Sequence, residues 1–274
     1  MSHPNNTYIL GSGQSEVERL QLQARTWMPE AEVMLDLIGI PDGWHCLDVG
    51  CGTVGILKPL SQRVGSAGRV VGSDIDPVQL AAARLYLQEE ALNNVTLVEQ
   101  DAFHPSFSHA QFDLVHARLL FTSEGNSAPD LLQKLISLTK PGGVVAVQEP
   151  ISSSWNCYPQ HWSWNTLKET LFKLLAQNGE DNNMGQYMYA LLCQAGLERV
   201  QVRPAILLLR GEHPYMRLPI LLATQLRQPI LEAGLLSQEE LDQAIEACEI
   251  ALKQPYAYVT TFIMLQTWGY KSKQ

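Results

Sequence analysis

The sequence predicts an α/β fold built on a mostly parallel sheet. Short apolar stretches alternate with helical stretches between residues 44 and 150, and a glycine-rich turn, Gly50-Cys51-Gly52, follows the first apolar stretch. Two further β-rich stretches lie at 197–209 and 256–267. Because strands that alternate with helices form βαβ units, the strands within 44–150 are expected to run parallel. The two late stretches are predicted to add two further strands.

Composition and charge limit the classes of function. The chain has 274 residues, 46% hydrophobic and 17% charged, which suits one large α/β domain with an appendage. A net charge of −9 argues against a nucleic-acid surface. No apolar run reaches the ~18 residues of a membrane span, and the start MSHPNNTYIL lacks the features of a secretory signal. We therefore expect a soluble, cytoplasmic protein with a small-molecule partner and no nucleic-acid or membrane partner.

The cysteines indicate neither a metal site nor a disulfide framework. They are odd in number and contain no CxxC pair: Cys46, Cys51, Cys157, Cys193 and Cys248. This usage is consistent with a reducing cytoplasm, and no metal is predicted. Cys51 lies inside the glycine turn, where we interpret it as a small filler rather than a nucleophile.

Two helices are predicted before the sheet. Ser15 and Glu18 have the spacing of a capping box, so the first helix is expected to begin at Ser15. Pro29 is expected to end that helix, with a second one over 30–38. Residues 1–43 are therefore predicted to form an N-terminal helical cap.

The stretch Trp44–Gly55, WHCLDVGCGTVG, joins the first strand to its helix. Cys46, Leu47 and Val49 are apolar enough for a buried strand, and the glycine turn follows at once. Glycine allows the main chain to approach a ligand closely or to adopt a positive φ. Open α/β sheets bind ligands at the carboxyl ends of their strands, so a nucleotide site is predicted here.

Two ligand classes compete for this turn. Gly50-x-Gly52-x-x-Gly55 matches the dinucleotide fingerprint, and Asp74 lies about 20 residues further on. Asp48, however, would face a pyrophosphate with a repulsion of roughly 4 kcal/mol at ~4 Å and an effective dielectric of ~20. A ligand with an ammonium and a sulfonium group reverses the sign of that interaction. An NAD-dependent oxidoreductase remains the alternative.

The motif LDVGCGTVG resembles the first motif of class I S-adenosylmethionine-dependent methyltransferases. Their third glycine falls where this chain has Val54, and Gly55 stands next to it. The resemblance covers 44–150 closely and the flanks in outline. It implies a Rossmann-like, seven-stranded sheet in which 197–209 and 256–267 form an antiparallel pair as the last two strands. It also implies S-adenosylmethionine as cofactor and S-adenosylhomocysteine as product.

The N-terminal string Ser15-Glu16…Arg19-Leu20…Gln23 is similar to that of bacterial and fungal small-molecule members of this family. In many members such a helix closes over the cofactor. The resemblance therefore implies that Gln23 touches the methionine end of the cofactor, whereas an exposed helix face is the alternative interpretation.

The second strand, 69–74, ends in an acid that helix capping does not explain. Asp76 before Pro77 is the natural N-cap of the next helix. Asp74 is then predicted to accept hydrogen bonds from both ribose hydroxyls, with Ile75 packed on the adenine.

The resemblance also assigns residues after the third and fourth strands. An acid after strand 95–99 accepts from the adenine amino group in the family, and the next N–H bonds a ring nitrogen; Asp101 and Ala102 match these positions. The end of the fourth strand lies beside the methionine part and the reacting methyl, which implicates Ala117 and Arg118.

Two residues are candidate bases. His116 is one, because the imidazole side chain of histidine can exchange a proton near neutral pH. Glu149, at the carboxyl end of the fifth strand, 144–150, is the other. Either side chain could equally be structural. The identity of a catalytic residue is therefore left open.

Aromatic residues follow the fifth strand: Trp155, Tyr158, His161 and Trp162. They are predicted to line a pocket for a flat or apolar acceptor. The alternative is that they only attach this segment to the sheet. Helices are predicted at about 160–177 and 183–195.

The long connection between the last two strands is predicted to be helical. Ser237 and Glu240 form a capping box at the start of one of its helices. We expect 44–209 and 256–274 to form the cofactor-binding domain, with 210–255 as a helical insertion that is either a lid or an oligomer contact, so a homo-oligomer is possible.

The predicted reaction is transfer of the methyl group of S-adenosylmethionine to an oxygen, nitrogen or carbon nucleophile of a small aromatic or apolar metabolite, by in-line displacement. A protein that binds the cofactor without methyl transfer, or that uses transfer for a cyclisation, remains an alternative.

Overall fold

The computed structural model describes residues 13–273. Its strands are β1 His45–Val49, β2 Arg69–Asp74, β3 Val95–Glu99, β4 Phe112–Arg118, β5 Thr139–Ile151, β6 Asn156–Tyr158, β7 Glu198–Ala205, β8 Leu208–Arg210, β9 Tyr258–Thr260 and β10 Ile263–Tyr270. Its α-helices are α1 Gln14–Ile38, α2 Leu57–Val64, α3 Pro77–Glu89, α4 Ala128–Leu138, α5 Trp162–Gln177, α6 Gly185–Gln194, α7 Leu218–Gln225, α8 Arg227–Glu232 and α9 Gln238–Leu252.

Seven strands form the main sheet in the order β3-β2-β1-β4-β5-β10-β7. Strands β1 to β5 pair in parallel, and β10 is antiparallel to both of its neighbours. The predicted seven-stranded, mostly parallel sheet is confirmed. Strand order reverses between β1 and β4, which is the position where open α/β sheets bind ligands.

Helices cover both faces of the sheet, so alternate residues of each central strand are buried on opposite sides. Leu47 packs into a core with α4 and α6, whereas its neighbour Cys46 packs into a second core with α1, α2 and α3. This double cover explains why the central strands are continuous apolar runs in the sequence.

The prediction for the N-terminal helices is wrong in two respects. One helix, α1, runs through Pro29 and is continuous to Ile38, and its N-cap is Gly13 rather than Ser15. Trp27 and Ala31 are fully buried on either side of Pro29, so tertiary packing outweighs the lost backbone hydrogen bond. Residues 1–12 of the expected cap lie outside the described part of the chain.

The two late β-rich stretches are each divided between two sheets. β7 and β10 belong to the main sheet, whereas β8 and β9 pair with β6 in a separate three-stranded sheet. The break falls at Leu207 and Thr261, which exchange two hydrogen bonds of 2.9 Å. The predicted antiparallel pairing of the two stretches is present between β7 and β10 in the main sheet. Because the chain bends at Leu207 and Thr261, it continues as the short β8–β9 ladder of the second sheet.

Helices α7, α8 and α9 lie between β8 and β9 in the chain and share a third core with α5 and α1. The capping box of Ser237 and Glu240 at the start of α9 is present as predicted. Trp27 of α1 donates a hydrogen bond of 3.2 Å to the Tyr215 hydroxyl. Within residues 13–273, no helix combines the length and apolar character needed to cross a bilayer.

Candidate functional site

The glycine turn after β1 has the conformation that its sequence demands. Gly50, Gly52 and Gly55 have φ angles of +66°, +55° and +52°. A Cβ on Gly55 would collide with Asp48 Oδ2, whereas a Cβ on Gly52 would meet no atom within 4 Å. Gly55 is therefore required by the protein itself, while Gly52 leaves open space beside the turn.

Asp48 supports this turn from beneath. Its side chain is 2% exposed, and Oδ2 accepts a hydrogen bond of 2.9 Å from the Ile56 N–H at the start of α2. In a dinucleotide site, N–H groups at this helix start hold phosphate. Because the Asp48 carboxylate already occupies that place, a bound phosphate would meet a negative charge.

His116 is fully buried and both of its ring nitrogens are engaged. Nδ1 lies 2.6 Å from Asp48 Oδ1, and Nε2 lies 2.9 Å from the Gln148 side-chain nitrogen. Since the Gln148 amide nitrogen can only donate, Nε2 accepts and Nδ1 carries the proton to Asp48. His116 therefore holds Asp48 in place, and its candidate role as a general base is not supported.

Glu149 is also fully buried and does not border the cavity described below. Its carboxylate accepts hydrogen bonds from Leu120 N, Phe121 N and Thr122 Oγ1 at 2.9, 3.0 and 2.9 Å. Burial raises the pKa of this carboxyl to about 7. Glu149 fixes the loop that follows β4, so the geometry corrects its candidate role as an acceptor base.

A cavity of about 450 Å³ opens at the carboxyl ends of β1, β2 and β4. Ten of the predicted cofactor-binding residues border it: Gln23, Asp48, Gly50, Cys51, Gly52, Asp74, Ile75, Asp101, Ala102 and Arg118. Ala117, which is fully buried, does not. Strand alternation points it into the core beneath the cavity floor. Burial raises the pKa of the Cys51 thiol well above its ordinary value, in keeping with a filler role.

Asp74 serves the turn and borders the cavity at the same time. Oδ2 accepts from Gly52 N at 2.8 Å and Oδ1 from Asp76 N at 3.0 Å. The Ile75 N–H also bonds this carboxylate, whose two oxygens together have about four acceptor sites, so acceptor capacity remains for a ligand. Burial raises the pKa of this carboxyl. Next to it, the apolar side chain of Ile75 is 67% exposed.

Asp101 likewise has two roles. It accepts from Phe103 N at 2.9 Å and contacts His104 Nδ1 at 2.6 Å, so it caps its own turn. It also borders the cavity with Ala102. The capping interpretation of this acid and a ligand contact are therefore compatible.

Three cavity-lining residues carry buried polar atoms without a partner among residues 13–273: Thr53 Oγ1, both amide atoms of Gln79, and one terminal nitrogen of Arg118. The other terminal nitrogen of Arg118 makes only a long bond of 3.4 Å to Gly55 O. An unsatisfied buried group costs about 1–3 kcal/mol. A ligand with several polar groups, one of them anionic beside Arg118, fits this lining.

The other half of the cavity is walled by helices and is mostly apolar. Its walls come from α1, α5, α7 and the segments that follow β5 and β9: Leu20, Ala24, Trp155, Leu171, Phe172, Leu175, Leu218, Leu222 and Phe262. Trp155 is the one predicted acceptor residue that lies here. We call this part the helical half of the cavity.

Tyr158, His161 and Trp162 lie outside the cavity, which corrects their predicted role. Strand β6 carries Tyr158 into the three-stranded sheet, where it stacks on Tyr258 with ring centroids 4.8 Å apart. His161 accepts from Ser163 N and caps α5, and Trp162 is 55% exposed. For these three residues the alternative interpretation, attachment of the segment, describes the geometry better.

Sequence reasoning missed most of the helical half. Leu171, Phe172 and Leu175 form an i, i+1, i+4 stripe on α5, and Leu218 and Leu222 repeat the spacing on α7. Such a stripe predicts a buried helix face. It does not distinguish a face buried in a core from one that lines a cavity.

Comparisons with known proteins agree with this geometry. Residues 46–143 match the family of methyltransferase domains. Over 147 residues the chain is 31% identical to aklanonic acid methyltransferase DauC of Streptomyces sp. strain C5, covering 53% of this chain and 64% of the relative. Over 126 residues it is 32% identical to nocamycin O-methyltransferase of Saccharothrix syringae, covering 45% and 44%.

A solved S-adenosylmethionine-dependent methyltransferase from Aquifex aeolicus superposes with a TM-score of 0.52 at 15% identity, over 91% of this chain and 97% of that chain. At this identity the likeness shows the fold alone. The matches to aklanonic acid methyltransferase and to nocamycin O-methyltransferase span 64% and 44% of the lengths of those relatives, respectively.

Proposed function

We propose that this protein binds S-adenosylmethionine and transfers its methyl group to a small molecule. Residues 46–143 match the family of methyltransferase domains, and the chain shares the fold of a solved S-adenosylmethionine-dependent methyltransferase. The cofactor supplies a methyl group on a positively charged sulfur, which is already an activated leaving group. The substrate is the part of this proposal that the relatives support only in outline.

One observation carries the choice of cofactor. The Asp48 carboxylate bonds the Ile56 N–H at the start of α2, in the place where a dinucleotide site holds phosphate. This favours a cofactor without phosphate over NAD. The nearby ammonium and sulfonium groups of S-adenosylmethionine would meet an attractive charge instead.

The remaining lining provides a partner for each part of the cofactor. Asp74 offers its free acceptor positions to the ribose hydroxyls, and Ile75 offers an exposed apolar surface to the adenine. Asp101 and Ala102 are assigned to the adenine edge. The unpartnered nitrogen of Arg118 is assigned to the methionine carboxylate, with Gln23 of α1 on the same side.

The helical half of the cavity is proposed as the acceptor site. Its apolar walls exclude water and hold a flat or apolar molecule close to the strand ends. Leu218 and Leu222 of α7 belong to these walls, so we assign residues 210–255 to a lid over the acceptor rather than to an oligomer contact. Alignment of the acceptor atom with the methyl group is then the main catalytic contribution.

Calorimetric titration tests the cofactor directly. We expect the purified protein to bind S-adenosylhomocysteine with micromolar affinity and to show no binding of NAD in a parallel titration. Binding of NAD alone would overturn the assignment of Asp48, and binding of neither compound would remove the basis for methyl transfer.

A further inference from the structure

Among residues 13–273, the side-chain carboxyl of Glu180 borders the cavity and has no hydrogen-bond or ion-pair partner. Glu180 borders the cavity beside Asn178 and Asn182, in the loop between α5 and α6. No residue among 13–273 forms a hydrogen bond or an ion pair with the Glu180 side chain. Burial alone raises the pKa of this carboxyl to about 7. In this respect it differs from His116 and Glu149, whose polar atoms are all engaged.

The loop that carries Glu180 is held against the catalytic edge of the sheet. Asp181 N donates to Thr122 O at 2.9 Å, and Ser152 N donates to Asn182 O at 2.9 Å. Thr122 follows β4 and Ser152 follows β5, so the loop is attached to both strand ends. Glu180 N itself donates to Leu175 O at 3.1 Å at the end of α5.

The cavity that Glu180 borders has apolar and aromatic side chains in its lining. Phe172 and Leu175 of α5 and the rings of Trp155 and Phe262 line the helical half of the cavity. The last two rings meet edge to face, with centroids 6.2 Å apart and an interplanar angle of 80°. An unpaired, partly buried carboxylate beside this lining can accept a hydrogen bond from a ligand that occupies the cavity.

We propose that Glu180 is the catalytic base for an uncharged aromatic acceptor that carries a hydroxyl group. This inference rests on the proposed methyl transfer. The acceptor hydroxyl donates to Glu180, its oxygen forms a bond to the methyl carbon, and the carbon–sulfur bond breaks with its electron pair remaining on sulfur. The hydroxyl proton passes to the Glu180 carboxylate, leaving a methyl ether, a neutral thioether and a protonated Glu180.

Other ionisable groups line the same cavity and bear on how the pH dependence of turnover is interpreted. Glu124 lies on the adjoining loop, Arg19 on α1 is paired with Glu16 at 2.7 Å, and Arg118 ends β4. The α5 residues that line the cavity, Leu171, Phe172 and Leu175, are uncharged. Since the base must be ionised, turnover is expected to fall as the pH drops through about 7.

The first test measures binding without turnover. Protein saturated with S-adenosylhomocysteine is titrated with 2-naphthol, with 2-hydroxyfluorene and with their methyl ethers. We expect the hydroxyl compounds to bind at least about tenfold more tightly than their ethers, and Glu180→Ala to remove that difference. Glu169→Gln, on the exposed side of α5, is the matched control with unchanged binding. Equal binding of the hydroxyl compounds and the ethers to the wild-type protein overturns the proposal.

The second test measures formation of the methyl ether from S-adenosylmethionine and either hydroxyl probe. Glu180→Gln is expected to lower kcat by about 10²- to 10⁴-fold and to abolish the limb near pH 7, while affinity for S-adenosylhomocysteine stays unchanged. Glu180→Asp should recover part of the rate. No transfer to either probe, or an unchanged rate in Glu180→Gln, contradicts the role of Glu180. Failure of the wild-type protein to bind S-adenosylhomocysteine would instead contradict the proposed function.

Discussion

Asp48 Oδ1 lies 2.6 Å from His116 Nδ1, directly across the parallel pair of β1 and β4, and both side chains are almost completely buried. The other Asp48 oxygen holds the start of α2. The pair therefore couples the middle of the sheet to the turn that frames the cavity.

This pair is one end of a polar chain that crosses the sheet. His116 meets Gln148 of β5, and Gln148 Oε1 accepts from Gln266 of β10 at 3.0 Å. Gln266 accepts from Arg203 at 2.7 Å and donates to Glu30 O of α1 at 2.9 Å. Each polar group in the chain is satisfied, so the network specifies one arrangement of the sheet, the turn and α1.

Replacing His116 with phenylalanine should destabilise the turn rather than remove a base. The charged Asp48 carboxylate would lose the hydrogen bond that His116 Nδ1 donates to it, which is worth about 1.5–3 kcal/mol. We expect the free energy of unfolding in urea to fall by that amount and the affinity for S-adenosylhomocysteine to fall with it. His109→Phe, at an exposed position, should leave both quantities unchanged. A variant with full stability and affinity would show that the pair is dispensable.

The glycines of the turn allow a matched comparison. Gly55→Ala should unfold the turn, because its Cβ collides with Asp48 Oδ2. In Gly52→Ala the new Cβ has open space, so the free energy of unfolding should fall by only the ~1–2 kcal/mol that a left-handed backbone costs a residue other than glycine. The added methyl group should also obstruct the cavity and weaken ligand binding. Thermal unfolding and calorimetric titration with S-adenosylhomocysteine separate the two effects. Equal losses of stability in both variants would contradict the assignment of Gly55.

Asp74→Ala should weaken binding of S-adenosylhomocysteine by tens-fold or more, since two charge-assisted hydrogen bonds are worth ~1.5–3 kcal/mol each. It should also lower the melting temperature, because Asp74 accepts from Gly52 N in the protein alone. Asp130→Ala, at an exposed acid of α4, is the control. Undiminished affinity would exclude the ribose assignment.

The raised pKa of Glu149 should make the stability of the folded protein depend on pH. Burial raises its pKa to about 7 from an ordinary value of 4.5, so its stabilising contribution is complete below pH 4.5 and is lost as the pH rises through about 7. Glu149→Gln keeps an acceptor for Leu120 N and Phe121 N but cannot ionise. We expect the urea midpoint of this variant to fall less than that of the wild-type protein between pH 5 and 8.

The control for this comparison is Glu89→Gln, an exposed acid of α3. Its urea midpoint should follow the wild-type protein at every pH. If Glu149→Gln also follows the wild-type protein, the raised pKa of Glu149 does not contribute to the pH dependence of folding.

Local signals in the sequence were sufficient for most of the sheet and for the glycine turn. Asp76 followed by Pro77 predicted the start of α3, and Asp76 does accept from Val78 N at 2.8 Å. Alternation of apolar strands with amphipathic helices predicted β1 to β5 because burial on both faces leaves a direct trace in the residues. These signals depend on neighbours within a few positions of the chain.

The roles of the polar residues were decided only by the tertiary structure. Nothing near Asp48, His116 or Glu149 in the chain reveals whether their atoms face a ligand or are used by partners up to 68 residues away. The same holds for Pro29, which stays helical because distant residues pack around it.

Glu180 is the converse case. In the sequence it is one acid in the polar stretch between two helices, with no motif around it. The attachment of its loop to the ends of β4 and β5 places it at the edge of the cavity, where an unpartnered carboxylate becomes chemically significant. Sequence alone determined the fold and the position of the turn, because both arise from local pattern. Which side chains remain available for chemistry depends on long-range hydrogen bonding and burial, which only the folded chain defines.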